Sequence, residues 1–223
     1  GAEALVRWRH PQEGVIFPAE FIPIFERNGF VYEVDKFVWE QTCKLLRGWL
    51  DRGMTPVPVS VNISRYDVFR GDLVDVIRGL VQKYRLPSDL LRLEITESAF
   101  SKSSDQIIRV VKEFVTLGFI VEIDDFGSGY SSLNTLKDVP AQVLKLDMRF
   151  LENDTNAQRG GSIIESVARM ARWLGMSIIA EGVETKEQAD YLKSIGCEFI
   201  QGYLYSRPTR AEEYERLLSG DKA

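Results

Sequence analysis

The chain has 223 residues, 44% of them hydrophobic and 27% charged, with a formal net charge of -5 and a single histidine. This is the composition of an ordinary globular protein, and an acidic balance without a clustered basic surface argues against binding to DNA or RNA polymers. One histidine excludes three-histidine zinc sites, a pair of Ser-His or Cys-His relays and histidine-rich di-iron sites, so carboxylates, amide and lysine are expected to carry any chemistry.

Short β-rich runs alternate with longer segments of helical period. The first strand is expected over Ala2–Trp8, followed by helices over Phe21–Phe25 and Val34–Leu50 that break near Asn28-Gly29. A strand over Val57–Ile63 leads to a helix over Asp67–Tyr84 that stops before Leu86-Pro87. The strand Leu90–Ile95 leads to a helix over Ser104–Leu117, closed by Gly118, and Ile120–Asp124 and Gln142–Asp147 are the next strands. A helix over Ser162–Leu174 ends at Gly175, the strand Ser177–Ala180 follows, and a helix over Lys186–Ile195 ends at Gly196 before the last strand, Glu198–Leu204. Glycine directly after a helix supplies the left-handed residue that terminates it.

No Pro-, Gly- or Ser-rich linker interrupts the pattern, so residues 1–223 are expected to form one domain. No apolar run approaches the roughly 20 residues that span a bilayer, and no basic-then-apolar leader opens the chain, so the expectation is a cytoplasmic domain. Cys43 and Cys197 have no metal-type spacing and are expected to be buried, reduced thiols.

Repeated strand-helix units imply a parallel sheet covered by helices. Open sheets and barrels both satisfy this, but the polar residues at the strand exits discriminate. Asn62, Glu94, Asp124, Lys145, Glu181 and Gln201, with Glu3 in the first run, recur at steps of one strand-helix unit. In a barrel such exits form a ring at one mouth, where the active sites of these barrels sit. Side chains alternate along a strand, so Asn62, Glu94, Lys145 and Asp147 share the face opposite the apolar set. Several carboxylates converging on one mouth repel one another unless a multivalent cation is present. An all-oxygen donor set suits Mg²⁺, Mn²⁺ or Ca²⁺, and the adjacent Asp124-Asp125 can bridge two such ions, a clamp for phosphoryl displacement. A carboxylate-handling barrel of the enolase type and a metal-free scaffold are the alternatives. The paired aspartates, the Asn62 amide and the lack of a separate capping domain argue against the first, and so many inward carboxylates against the second.

Glu3-Ala4-Leu5-Val6-Arg7-Trp8 resembles the signature of the EAL phosphodiesterases. Val61-Asn62-Ile63-Ser64, Glu94-Ile95-Thr96-Glu97, Asp124-Asp125-Phe126-Gly127-Ser128-Gly129-Tyr130, Lys145-Leu146-Asp147, Glu181-Gly182-Val183-Glu184 and Gln201-Gly202-Tyr203 follow in that family's order. The resemblance implies a modified TIM-type (β/α)8 barrel that cleaves cyclic di-GMP to linear pGpG by water attack on a phosphodiester. It further implies that the first strand of the family pattern is missing from this chain. Carried over by motif, Glu3, Asn62, Glu94, Asp124 and Asp125 are the metal residues, with Mg²⁺ or Mn²⁺ in a two-metal site and Ca²⁺ inhibitory. Lys145 and Glu181, with Glu3, are the catalytic residues: Lys145 steadies the attacking water and the growing negative charge, and Glu181 orients water. Leu5, Arg7, Asp147 and Gln201 resemble positions that contact substrate. Glu97 and Glu184 resemble supports, the former anchoring the Asp125–Ser132 loop. Family members also imply a homodimer, upstream sensory or GGDEF diguanylate-cyclase domains in the parent protein, and possible membrane tethering of that parent. A barrel that senses the nucleotide without cutting it is the rival within the family. His10, in Arg9-His10-Pro11, is expected to be structural.

Overall fold

In the computed structural model, residues 1–100, 104–127, 133–148 and 157–218 are described. They cluster into two compact units, one of Gly1–Ile95 with Lys112–Ile120, the other of Thr96–Val111 with the chain from Val121 onward.

The first unit is built on three parallel strands, β1 (Ala2–Glu3), β4 (Val59–Ile63) and β5 (Leu91–Thr96, ending just past the unit). Ala2 and Glu3 pair with Val59 and Ser60, and Asn62 stands opposite Glu94. The expected strand Ala2–Trp8 is a correction: the chain leaves the sheet after Glu3, and Trp8 opens an antiparallel hairpin of β2 (Trp8–His10) and β3 (Gly14–Ile16). His10 serves its turn, its Nδ1 accepting from the amides of Gln12 and Glu13. Trp8 packs edge-on to Phe21, with Phe25 and Phe30 completing an aromatic cluster.

Helices α1 (Pro18–Asn28) and α2 (Val31–Asp51) are separated by Gly29, left-handed at φ 77°. Pro18 suits the first helical position, where no amide donor is needed, and the Glu20 carboxylate accepts from the Phe17 amide. Trp39, Cys43, Leu46 and Trp49 recur at helical spacing on α2 and are buried against β4 and α3 (Leu73–Lys83). The expected single helix Asp67–Tyr84 is in fact a short 3₁₀ turn, Asp67–Phe69, followed by α3.

The second unit carries four parallel strands in the order β6 (Val121–Phe126), β7 (Val143–Asp147), β8 (Ser177–Glu181) and β9 (Phe199–Ile200). β7 is buried along its whole length, as befits a parallel strand covered on both faces. Helix α4 (Glu97–Phe100) follows β5, and α5 (Ser104–Thr116) leads toward β6; α6 (Leu133–Asp138) precedes β7. Helix α7 (Ala157–Trp173) lays Ile164, Ala168 and Ala171 toward β8 and begins five residues earlier than its sequence suggests. Helix α8 (Lys186–Ser194) is capped by Thr185, whose hydroxyl accepts from the Gln188 amide while Gln188 accepts in return. Helix α9 (Ala211–Leu218) closes the described chain.

β9 is far shorter than the expected Glu198–Leu204 because the segment beyond it wraps the β8 exit, with Val183 donating to the Gln201 carbonyl and accepting from Leu204. Gly202 sits so close that a Cβ there would run into the Val183 backbone. Cys43 and Cys197 are free and buried, as composition led us to expect.

Candidate functional site

The exits of the parallel strands hold nearly every polar residue singled out in the sequence. In the first unit the Asn62 amide donates to Glu3 Oε1 at 3.4 Å, and Asn62 is the register partner of Glu94, which is 1% exposed. Asn62 is held from behind: the indole N–H of the buried Trp39 donates to its carbonyl oxygen at 3.0 Å. Leu5 is exposed on the stretch after β1, and the half-buried Arg7 donates to the Val6 carbonyl with its guanidinium over the Phe17 ring.

In the second unit Lys145 is 1% exposed at the centre of β7, its Nζ 2.8 Å from Glu181 Oε1 and 3.2 Å from Asp124 Oδ1. The Asp124 contact is electrostatic only, because the buried Oδ1 makes no hydrogen bond. Carboxylate oxygens of Asp124, Asp125 and Glu181 lie within 4.8 Å of one another. Three acids and one ammonium leave an excess of negative charge in a largely buried place, which costs free energy unless further positive charge enters. Hard oxygen donors and a buried oxygen lacking a hydrogen bond fit a divalent cation of the Mg²⁺, Mn²⁺ or Ca²⁺ kind.

Adjacent residues on a regular strand point to opposite faces, yet Asp124 and Asp125 offer oxygens to one group. The reason is local. The β6–β7 register shifts between Ile123 and Phe126, and Asp125 adopts a left-handed φ of 54°. A β-bulge with a residue in this conformation re-aims a side chain at some conformational cost.

Asp147 is buried beside this group, paired in register with Glu181. The buried Glu97 carboxylate accepts from the Gly127 amide at 2.7 Å, at the start of the Asp125–Ser132 stretch; residues 128–132 lie outside the described set. Gln201 is exposed past the end of β9, and Glu184 is exposed with its amide donating to Gln188. Sequence reasoning passed over three acids: Glu122, 0% exposed on β6, and in the first unit the half-buried Asp35 with the fully buried Asp67. An acid inside an apolar strand such as Val121-Glu122-Ile123 was the available signal.

A parallel α/β chain with acids, an amide and a lysine at its strand exits defines a class of proteins with acidic, oxygen-rich sites. Comparison with known proteins is more specific. The chain matches the EAL domain over residues 1–208. It is 37% identical over 213 residues to the bifunctional diguanylate cyclase/cyclic di-GMP phosphodiesterase MucR of Pseudomonas aeruginosa, covering 96% of this chain and 31% of that protein. It is 38% identical over 216 residues to the cyclic di-GMP phosphodiesterase NbdA of the same organism, covering 97% and 28%. A solved structure described as the PaMucR phosphodiesterase in complex with c-di-GMP superimposes with a TM-score of 0.89 at 36% identity, covering 95% of this chain and 86% of that one. The chain belongs to the EAL domain family, and its fold is the modified (β/α)8 barrel of that family. It spans about a third of the length of the curated relatives it matches.

Proposed function

We propose that this chain acts as a phosphodiesterase domain that hydrolyses cyclic di-GMP to linear pGpG. The observation that carries the proposal is the buried Lys145, placed against both Asp124 and Glu181 at the exits of three neighbouring strands. Membership of a family with phosphodiesterases among its relatives supplies the substrate.

Glu3, Asn62, Glu94 and Asp124 are proposed as ligands of one divalent cation, with Asp124 shared with a second that Asp125 helps to hold. Mg²⁺ or Mn²⁺ is the proposed cofactor, and Ca²⁺ the inhibitor that binds without supporting turnover. When bound, such a pair supplies Lewis-acid polarisation of the phosphate and of water. The chain's own contribution is positional. Lys145 donates to the attacking water and to phosphate oxygens as negative charge grows on them, a role that low exposure strengthens. Glu181 accepts a hydrogen bond from that water and fixes its direction of approach, and Glu3 supports the same step. Arg7 offers a guanidinium fork to a phosphate, Leu5 packs on the nucleotide, and Asp147 and Gln201 read its guanine or ribose side. Glu97 anchors the Asp125–Ser132 loop through the Gly127 amide, and Glu184 supports the β8 exit.

No helix among the described residues is long and apolar enough to cross a membrane. A cytoplasmic setting and homodimerisation complete the reading, together with attachment to sensory or diguanylate-cyclase domains, which relatives more than three times the length of this chain support. The test is turnover. The purified chain with Mn²⁺ or Mg²⁺ should convert cyclic di-GMP to pGpG, and replacement by Ca²⁺ should stop conversion while leaving nucleotide binding intact. Tight nucleotide binding with no pGpG under either activating ion would instead establish a receptor.

A further inference from the structure

The first unit contains a pair of acids that the proposed reaction does not use. Asp35 sits half-buried on α2, and Asp67, 0% exposed, opens the 3₁₀ turn just beyond β4. Asp67 Oδ2 accepts from the Ser64 amide at 2.7 Å, and the Asp67 amide donates back to Ser64 Oγ at 3.2 Å. This reciprocal exchange has the logic of a capping box. The other oxygen, Oδ1, is buried and finds no donor if both acids are ionised, yet the two side chains are in hydrogen-bonding contact.

We propose that Asp35 and Asp67 share one proton and thereby latch the exit of β4 onto α2, positioning Asn62. Two carboxylates in contact in a buried place cannot both carry charge, because mutual repulsion and lost hydration add. A proton on one supplies the donor that the second lacks. Burial, then the Asp67 charge and hydrogen bond, then Glu26, push the Asp35 carboxyl up to about 9. Burial also raises Asp67, opposed by its Ser64 hydrogen bonds and by Arg70.

The charged and titratable groups around the pair do not replace the proton. Glu26 on α1 adds repulsion. Tyr32, on the first turn of α2, donates its hydroxyl to Asp72 at 2.9 Å. Arg70 stands over the Tyr32 ring at 5.1 Å and Lys36 at 4.7 Å, the latter also paired with Glu33.

The latch reaches Asn62 from two sides. Trp39, one helical turn beyond Asp35 on α2, holds the Asn62 carbonyl, and Asp67 holds the amide of Ser64 two residues further on. The latch stands whatever β4 carries; its importance for Asn62 rests on the proposed ligand role.

The test uses Asp67→Asn, which keeps the acceptor for Ser64 and supplies a permanent N–H in place of the shared proton. Because the folded state holds a proton that the unfolded chain releases near 3.8, the pair's stabilising effect is full below that pH and is lost as pH rises through about 9. Between pH 6 and 8.5 the unfolding constant of the natural chain should therefore rise, relative to Asp67→Asn, by about tenfold per pH unit. The infrared band of a protonated carboxyl should be present at pH 7 in the natural chain and absent in Asp67→Asn. Amide exchange over residues 62–64 should quicken in Asp67→Ala and stay slow in Asp67→Asn. Parallel pH dependences for the natural chain and Asp67→Asn, or an unchanged infrared band, would overturn the shared proton; unaltered exchange in Asp67→Ala would overturn the latch. Should Asp67→Ala fail to fold while Asp67→Asn folds, the latch is supported. None of these readings needs metal or nucleotide, so the latch and the phosphodiesterase reading fail separately.

Discussion

Lys145 and Glu181 meet across neighbouring strands, ammonium to carboxylate at 2.8 Å, with the lysine almost wholly enclosed. An enclosed cation beside two acids is held in one place, which suits a group that must meet developing charge without reorganising. Lys145→Ala should lower kcat for cyclic di-GMP by about a hundredfold or more, while nucleotide affinity changes only a few-fold. Steady-state kinetics beside an equilibrium binding titration separate the two, since a loss made only in the transition state falls on kcat. Normal turnover in this variant would remove Lys145 from the reaction.

The acidic group of Asp124, Asp125 and Glu181 has a thermodynamic signature that needs no substrate. A cation that binds the folded chain alone stabilises it by about 2.7 kcal/mol at one hundred times its dissociation constant. Mn²⁺ or Mg²⁺ should therefore raise the Tm, and a chelator should reverse the rise. Alanine at Asp124 should abolish the response together with hydrolysis, and alanine at Glu3, Asn62 or Glu94 should weaken both. An identical Tm shift in Asp124→Ala would place the ion elsewhere.

Trp39 has two tasks, filling the core beneath β4 and donating to the Asn62 carbonyl. Trp39→Phe retains an aromatic ring but leaves that carbonyl without its indole partner, at a cost of about 1–3 kcal/mol. Denaturant unfolding measures the cost. If Asn62 is a ligand, the same variant should also need more Mn²⁺ for half-maximal stabilisation.

Both cysteines are poor nucleophiles as folded. Burial, with a smaller contribution from Glu40, pushes the Cys43 thiol up to about 12, and burial raises Cys197 as well. The thiolate is the reactive form, so at pH 8 neither should react with a disulfide reagent until denaturant is added. Rapid labelling of the native chain, followed by absorbance, would contradict this.

The strand exits were legible in the sequence because a parallel strand is an apolar run and an acid, amide or lysine at its end stands out. Asn62, Glu94, Asp124, Lys145 and Glu181 all lie on strands close to the expected ones. The hairpin at Trp8–Ile16 was not legible, since Val6 and Trp8 continue the apolar pattern of β1 and nothing local marks where the chain leaves the sheet. Asp35 and Asp67 were hidden for a different reason. An acid on a helix such as α2 reads as part of its solvated face, and an acid after a strand reads as a helix start, so their contact exists only in three dimensions. The convergence of Asp124 with Asp125 was hidden in the same sense, because strand alternation alone separates neighbours.

The left-handed backbone at Asp125 sets the protein's robustness against its usefulness. A non-glycine residue held there carries strain on the order of 1 kcal/mol, so Asp125→Gly should make the folded chain tougher while removing an acid from the cluster. A laboratory selection that rewards heat tolerance and ignores nucleotide turnover would drift toward glycine at this position, yielding a sturdier but idle barrel.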